Sequence, residues 1–374
     1  MLNTNIIFDS YYSWWKNIDK FILFLILSLF FLGLFFSLAS TSLIASDKLN
    51  TNSYYFFIKH FIFIFIGICI LVSLSSLKSE KLFSISILFF TIFFISLVLV
   101  PFLGVEVKGS KRWIDPIMLP RFQPIELLKP FFIFVIAYII STKKNNNIYI
   151  NYLISSLILI PIILLLISQP DIGQTFLIIM IWLSLIFISG INLIIFFSFF
   201  IFFGSIISFL ILYVPKFGYI KNRILSFLDP STGNNYQSEM ASEAIINGGF
   251  FGQGIGEGKL NSKIPEAHTD YIVSVISEEF GAIVVILIMI IYLVFAFQVI
   301  KKISFEKEQI NKLVLLGSIT LILLQSFIHI GVNIRILPTT GMTLPFLSYG
   351  GSSLLSTGIV AGIVLNYTSL NEKN

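Results

Sequence analysis

Cysteine is almost missing. Cys69 is the single thiol in 374 residues, which excludes an intramolecular disulfide and a thiolate metal cage. Charge is scarce too: 11% of the chain is Asp, Glu, Lys or Arg, where a soluble domain carries about a quarter. A phosphate-binding nucleotide motif is also lacking. The glycines of 248–256 have no strand before them and no helix with Lys-Ser/Thr after them. What is present is apolar: 56% hydrophobic and 16% aromatic residues, with mean hydropathy +0.95. This composition places the chain in a bilayer. The net charge of +5 then reads as membrane topology and contact with anionic lipid or phosphate, and not as nucleic-acid binding.

The apolar residues fall into runs at about 21–44, 54–76, 83–103, 124–141, 149–168, 173–189, 192–213, 271–299, 311–333 and 349–368. Each is near the ~20 residues that span hydrocarbon. The expected fold is all-α: a polytopic integral membrane protein of about ten transmembrane helices in one domain at 21–370, with a large loop at about 214–268. An interfacial segment 1–20 precedes it, where Tyr11, Tyr12, Trp14 and Trp15 stand beside Lys16 and Lys20. The first run is too long, and lacks the small-residue site, for a cleaved signal peptide. A short tail, 371–374, follows. Lys16, Lys20, Lys78, Lys81, Lys143, Lys144, Lys301, Lys302, Lys307, Lys312 and Lys373 fall on one side. As many basic residues, around 108–129 and 216–263, fall on the other, so charge counting does not orient the chain. Basic residues kept against that cost point to an anionic ligand, or to lipid headgroups.

The chain is organised around Ile264-Pro265-Glu266-Ala267-His268-Thr269-Asp270, a polar turn that opens into a long apolar helix. Asp270 stands where backbone N–H groups are unpaired and the helix dipole favours an anion. It reads either as an N-cap or as a functional carboxylate. Ser274 and Ser277 follow on nearly the same face, and Glu278 and Glu279 lie inside the apolar run, where a carboxylate is costly and therefore a functional candidate.

Other polar segments interrupt the apolar pattern. Residues 104–114 hold Lys108, Lys111, Arg112 and Trp113 among glycines, which suits a diphosphate or an interfacial anchor. Gln123 and Pro124 open the next run, where Glu126 and Lys129 can pair on one helix face. Gln169-Pro170-Asp171 forms a polar turn whose aspartate caps the next helix or joins the Asp270 face. In the long loop, Gln237 precedes Ala241–Asn247, a candidate short amphipathic helix. Between the last two runs, Pro338, Pro345 and Gly350-Gly351 mark irregular backbone, which at membrane depth must be buried or line a cavity. Gly358, Ala361 and Gly362 permit close helix packing.

Taken together, Lys111-Arg112-Trp113-Ile114, Phe122-Gln123-Pro124-Ile125-Glu126, Gln169-Pro170-Asp171-Ile172-Gly173, Pro265–Asp270 and Leu344–Ser353 resemble the SEDS family (shape, elongation, division and sporulation) of peptidoglycan glycosyltransferases. Gly341-Met342-Thr343 and Phe227-Leu228-Asp229-Pro230 are more similar to the cell-division member than to the elongation member. Residues 238–243 depart from the family pattern, being more acidic.

The resemblance implies a SEDS-type fold in the bacterial inner membrane, at the division septum. Termini would be cytoplasmic and the large loop extracytoplasmic. It implies polymerisation of lipid II, with release of undecaprenyl pyrophosphate. Asp270 matches the family's essential acid and would serve as base. Lys111, Arg112 and Lys129 would neutralise the pyrophosphate. Gln123, Glu126, Asp171, Gln237, Glu266, His268, Thr269, Ser348, Tyr349, Gly350, Gly351 and Ser352 would complete the substrate site. Implied partners are lipid II, the growing undecaprenyl-pyrophosphate-linked glycan, a class B penicillin-binding protein, other divisome proteins and membrane lipid. No metal-ligand cluster in the sequence demands a metal; the expectation is either no cofactor or a divalent cation such as Mg or Mn sharing the work at the pyrophosphate. The competing readings are an elongation-type polymerase of the same family, a lipid II flippase or transporter, for which the sequence shows no clear repeat, and a scaffold that only activates a partner, in which Asp270 would have no purpose.

Overall fold

The computed structural model describes residues 12–41, 54–107, 109–117, 120–142, 148–229 and 236–369. The expectations placed on residues 1–11, Lys108, Lys143, Lys144, Pro230 and 371–374 lie outside the described residues. Before the long loop run α1 (Lys20–Phe36), α2 (Tyr55–Ser75), α3 (Ser79–Leu103), the hairpin β1 (Val105–Val107) and β2 (Ser110–Trp113), then α4 (Pro124–Ser141), α5 (Ile148–Ser168), α6 (Ile172–Ile188) and α7 (Leu193–Tyr213). The loop itself carries α8 (Gly218–Leu228) and α9 (Tyr236–Gly248); α10 (Ile272–Phe305), α11 (Gln309–Asn333) and α12 (Gly351–Tyr367) follow. Eight of these helices are long and apolar enough to cross a bilayer, and α6 and α12 are shorter apolar helices.

Helix starts follow local chemistry. Asp19 accepts from the N–H groups of Phe21 and Ile22 at 3.1 Å, Asn192 caps α7 through Ile194 at 2.9 Å, and Pro124 takes the first turn of α4. Of the eight long helices, α4 and α11 are the most buried and α7 the least, and the shorter α12 is buried along nearly its whole length. Along α12, glycines allow the close approach expected of them: a Cβ on Gly358 would lie 2.6 Å from the Gly67 carbonyl of α2. One end of the bundle is tied by Lys302 to Asp19 at 2.7 Å, Trp14 to Ser75 at 2.9 Å and Asn366 to the Leu77 carbonyl at 2.6 Å. The candidate site lies at the other end.

Glu278 and Glu279 are not part of that site. Helix α10 breaks at Gly281, whose φ of 82° no other residue adopts easily. The break frees backbone groups that the glycine-rich loop then satisfies. Gln253 and Gly254 donate to the carbonyls of Glu278 and Glu279 at 2.8 and 3.0 Å, and Ala282 donates to Gly249 at 2.9 Å. The Glu278 carboxylate accepts from Asn247, Leu260 N and Asn261 N at 2.9–3.0 Å, and Glu279 accepts from the Asn261 amide at 2.8 Å. The two acids pin the loop to the helix, and the glycines cradle backbone instead of phosphate.

Candidate active site

Residues 265–271 form the turn before α10. Glu266 sits in the left-handed region at φ 56°, and its carbonyl accepts from the N–H groups of Thr269, Asp270 and Tyr271 at 3.1–3.3 Å. Its side chain takes the Thr269 hydroxyl at 3.0 Å. Asn333, fully buried at the end of α11, donates to the Asp270 carbonyl at 3.0 Å. Its amide oxygen accepts from Ser274 N and the Ser274 hydroxyl at 3.1 and 2.8 Å, so Ser274 is a clamp between helices.

Opposite the turn, residues 334–350 run without regular structure, and protein groups satisfy their polar backbone as burial demands. Gln325 donates to the Thr343 carbonyl at 3.0 Å, His329 bonds the Met342 carbonyl at 2.7 Å, and the Tyr292 hydroxyl donates to Pro345 O. Ser348 donates to Thr269 O at 2.7 Å, and Tyr349 N donates to His268 O at 3.0 Å. These bonds lace the irregular stretch to the turn. Pro338, Pro345 and Gly350 lie within it, whereas Gly351 is already the first residue of α12, a correction to the expected extent.

Between these segments and the hairpin is a cavity of about 950 Å³, whose lining includes the acids Asp115, Glu126, Glu266 and Asp270 and the bases Lys59, Arg112, Arg121 and Arg223. Arg112 is held by the carbonyls of Gln169 (3.1 Å) and Pro170 and by Asp171 at 3.7 Å. Arg121 pairs with Asp115 at 3.0 Å. Burial pushes the Tyr271 phenol up, with Asp270 adding to the shift and Arg223 opposing it; burial and Tyr55 push Tyr349 up to about 12. Both residues line the cavity.

The expected residues divide by position. Arg112, Gln123, Glu126, Gln237, Glu266, Thr269, Asp270, Tyr349, Gly350, Gly351 and Ser352 line the cavity. Lys111 does not: it alternates with Arg112 along β2 and is exposed on the outer side. Lys129 is fully buried beneath the cavity and bonds Glu126 at 2.9 Å and Gln325 at 3.0 Å. Asp171 is buried behind Arg112 and Gln123, accepting from the Gln123 amide at 2.9 Å; burial pushes its carboxyl up and Arg112 opposes this. Ser348 ties backbone, and the His268 ring packs against Phe56 and Tyr349 at 4.9 and 5.6 Å.

Sequence reasoning passed over Lys59, Arg223 and Asn333. A lysine one turn inside a span is itself a signal. So is the stripe Gln325, His329, Asn333, spaced by four on α11.

The sequence from 20 to 373 matches the family of cell cycle proteins that comprises FtsW, RodA and SpoVE. The chain belongs to that family. It is 38% identical over 332 residues to a "Probable peptidoglycan glycosyltransferase FtsW" of Buchnera aphidicola, covering 85% of this chain and 92% of the relative. A relative of the same name in Trichlorobacter lovleyi is 32% identical over 368 residues, covering 94% and 93% of the two chains. Among solved structures, a chain from a study of how a peptidoglycan synthase complex coordinates polymerization and crosslinking superposes with a TM-score of 0.76 at 23% identity, covering 94% and 97%. The fold is therefore the SEDS-type membrane bundle.

Proposed function

We propose that this chain is a peptidoglycan glycosyltransferase of the cell-division type, which polymerises lipid II at the outer face of the inner membrane. The observation that carries the reading is Asp270 at the mouth of α10, in one cavity with Lys59, Arg112, Arg121 and Arg223. Relatives named FtsW at 38% and 32% identity support the division assignment.

The reaction joins a weak nucleophile to an anionic leaving group. Asp270 takes the proton from the acceptor sugar's 4-hydroxyl as that oxygen attacks the donor's anomeric carbon. The bond from that carbon to the pyrophosphate oxygen breaks, and undecaprenyl pyrophosphate leaves with the bonding electrons. Fixed cations stabilise the charge that develops there, and Arg112, already oriented by two carbonyls and Asp171, needs no reorganisation to do so. Among the described residues no three metal-capable side chains converge. A Mg or Mn ion would be held by a cavity carboxylate together with the substrate's own phosphates. A class B penicillin-binding protein is the partner proposed to crosslink the glycan, and the division septum is the proposed location.

Two expectations follow from the lining. Arg112→Ala should lower kcat/KM by about 10²-fold or more, and Arg112→Lys should not restore it, because the bidentate fork is lost. Lys111→Ala should change little, in contrast to the expectation from sequence. Steady-state turnover of the three variants checks both. A Cβ on Gly351 would lie 2.8 Å from the Phe63 ring, which also lines the cavity. Gly351→Leu should therefore drive Phe63 inward and raise KM; an unchanged KM would remove Phe63 from the account.

Detergent separates this reading from a flippase, because micelles have no second leaflet. Purified protein with its transpeptidase partner should build glycan from lipid II there. If it builds none, the enzyme reading fails.

A further inference from the structure

A second cavity, of about 730 Å³, adjoins the first and shares Arg223, Gln237 and Thr339 with it. Its walls are loop elements only: α8, the start of α9, Pro265 and the 335–339 segment. Asn222, Tyr236 and Gln237 offer amide and phenol groups, and Arg223 and Arg335 offer guanidinium groups. Arg223 donates to the Thr339 carbonyl at 3.3 Å. Among the described residues, neither arginine has a carboxylate at ion-pairing distance. Arg335 is also held at φ 58°, a left-handed conformation that strains a non-glycine residue.

We propose that this second cavity is a subsite for the peptide-bearing sugar of the lipid-linked substrate, with Arg335 and Arg223 gripping a carboxylate of its stem peptide. The inference rests on the glycosyltransferase reading above. The first cavity takes its walls partly from spans, through Ile62 and Phe63 of α2 and Gly351 of α12. A pyrophosphate tethered to a membrane-embedded chain belongs there. The second cavity has no wall from a span, so what reaches it must project away from the membrane. On such a substrate those groups are the sugars and the peptide, and the peptide carries the carboxylates. Paired guanidinium groups suit a planar carboxylate, and neighbouring amides suit sugar hydroxyls. Through the shared residues, one substrate can occupy both cavities, with its anomeric carbon in the first.

The test uses full-length protein with its partner in detergent, and two substrates: lipid II and lipid II whose stem carboxylates have been converted to amides. Wild type should show a KM about tenfold lower for the free carboxylate. Arg335→Asn, chosen because Asn tolerates a left-handed φ, should raise that KM to the level of the amidated substrate and leave kcat unchanged. Arg335→Gly relieves the backbone and should do the same, which guards against a misfolded first variant. Arg335→Lys should recover part of the preference. Equal KM values for the two substrates in wild type, or a rise of equal size for both in the variants, would overturn the inference while leaving the enzyme reading intact. No polymer from wild type with either substrate would overturn both.

Discussion

Asp270→Asn is expected to stop glycan synthesis while the protein still folds, inserts and binds its substrate. Asn keeps the size and hydrogen-bonding polarity of the side chain and loses only its basicity. The backbone here is held by bonds that do not involve the carboxylate: Asp270 N donates to Glu266 O at 3.1 Å, and the Asn333 amide donates to Asp270 O at 3.0 Å. Structural collapse is therefore not the expected cause of any loss. Removing a general base costs about 10²–10⁴ in rate. The loss should appear in kcat, with KM for lipid II nearly unchanged. A gentler change nearby should point the same way. Gly341 has φ 70°, and a Cβ there would lie 3.5 Å from the Asp270 carboxylate, so Gly341→Ala adds both strain and a contact on the base.

The second large effect concerns stability. Lys129 is fully buried and sits 2.9 Å from Glu126 and 3.0 Å from Gln325. Glu126 also accepts from the Gln174 amide at 2.5 Å. Lys129→Met strands a carboxylate in the bundle interior, and breaking such a pair from one side costs about 3–5 kcal/mol. Thermal unfolding in detergent should show a large drop. Lys129→Met combined with Glu126→Gln removes both charges and should recover much of the loss, giving a strong positive coupling in a double-mutant cycle. Additive losses would mean that the pair is not a unit. Lys129 thus supports the cavity from below, where sequence had offered it as a pyrophosphate ligand.

The membrane spans were legible because lipid leaves the backbone few options: a long apolar run must satisfy its own hydrogen bonds as a helix. Asp270 was legible because its signal is local, a carboxylate in a proline-led turn before an apolar run. Residues whose roles depend on distant partners were not. Glu278 and Glu279 read as functional acids because a buried carboxylate is costly, yet their partners, Asn247, Leu260 and Asn261, come from the far side of the loop. Nothing local in the sequence marks Gly281, whose added Cβ would lie 2.2 Å from the Phe250 carbonyl of the distant loop. Lys111 and Arg112 are adjacent in sequence, and only the hairpin decides which one turns inward. Arg223 and Arg335 are remote in sequence and meet at one cavity through folding alone.

The loop-side placement of the polar residues bears on function as well as on fold. Four cavity cations and four cavity carboxylates gather at one end of the bundle, and the Asp19–Lys302 pair lies at the other. A transporter needs polar access from both ends in turn; a polymerase acting on substrate already outside needs it from one.

The most direct measurement is a structure of the Asp270→Asn variant with its partner and lipid II, since this variant should hold substrate without consuming it. The account predicts pyrophosphate against the Arg112 guanidinium, with a sugar 4-hydroxyl within hydrogen-bond reach of the substituted side chain at position 270. Pyrophosphate bound away from Arg112, or both sugars remote from position 270, would contradict it.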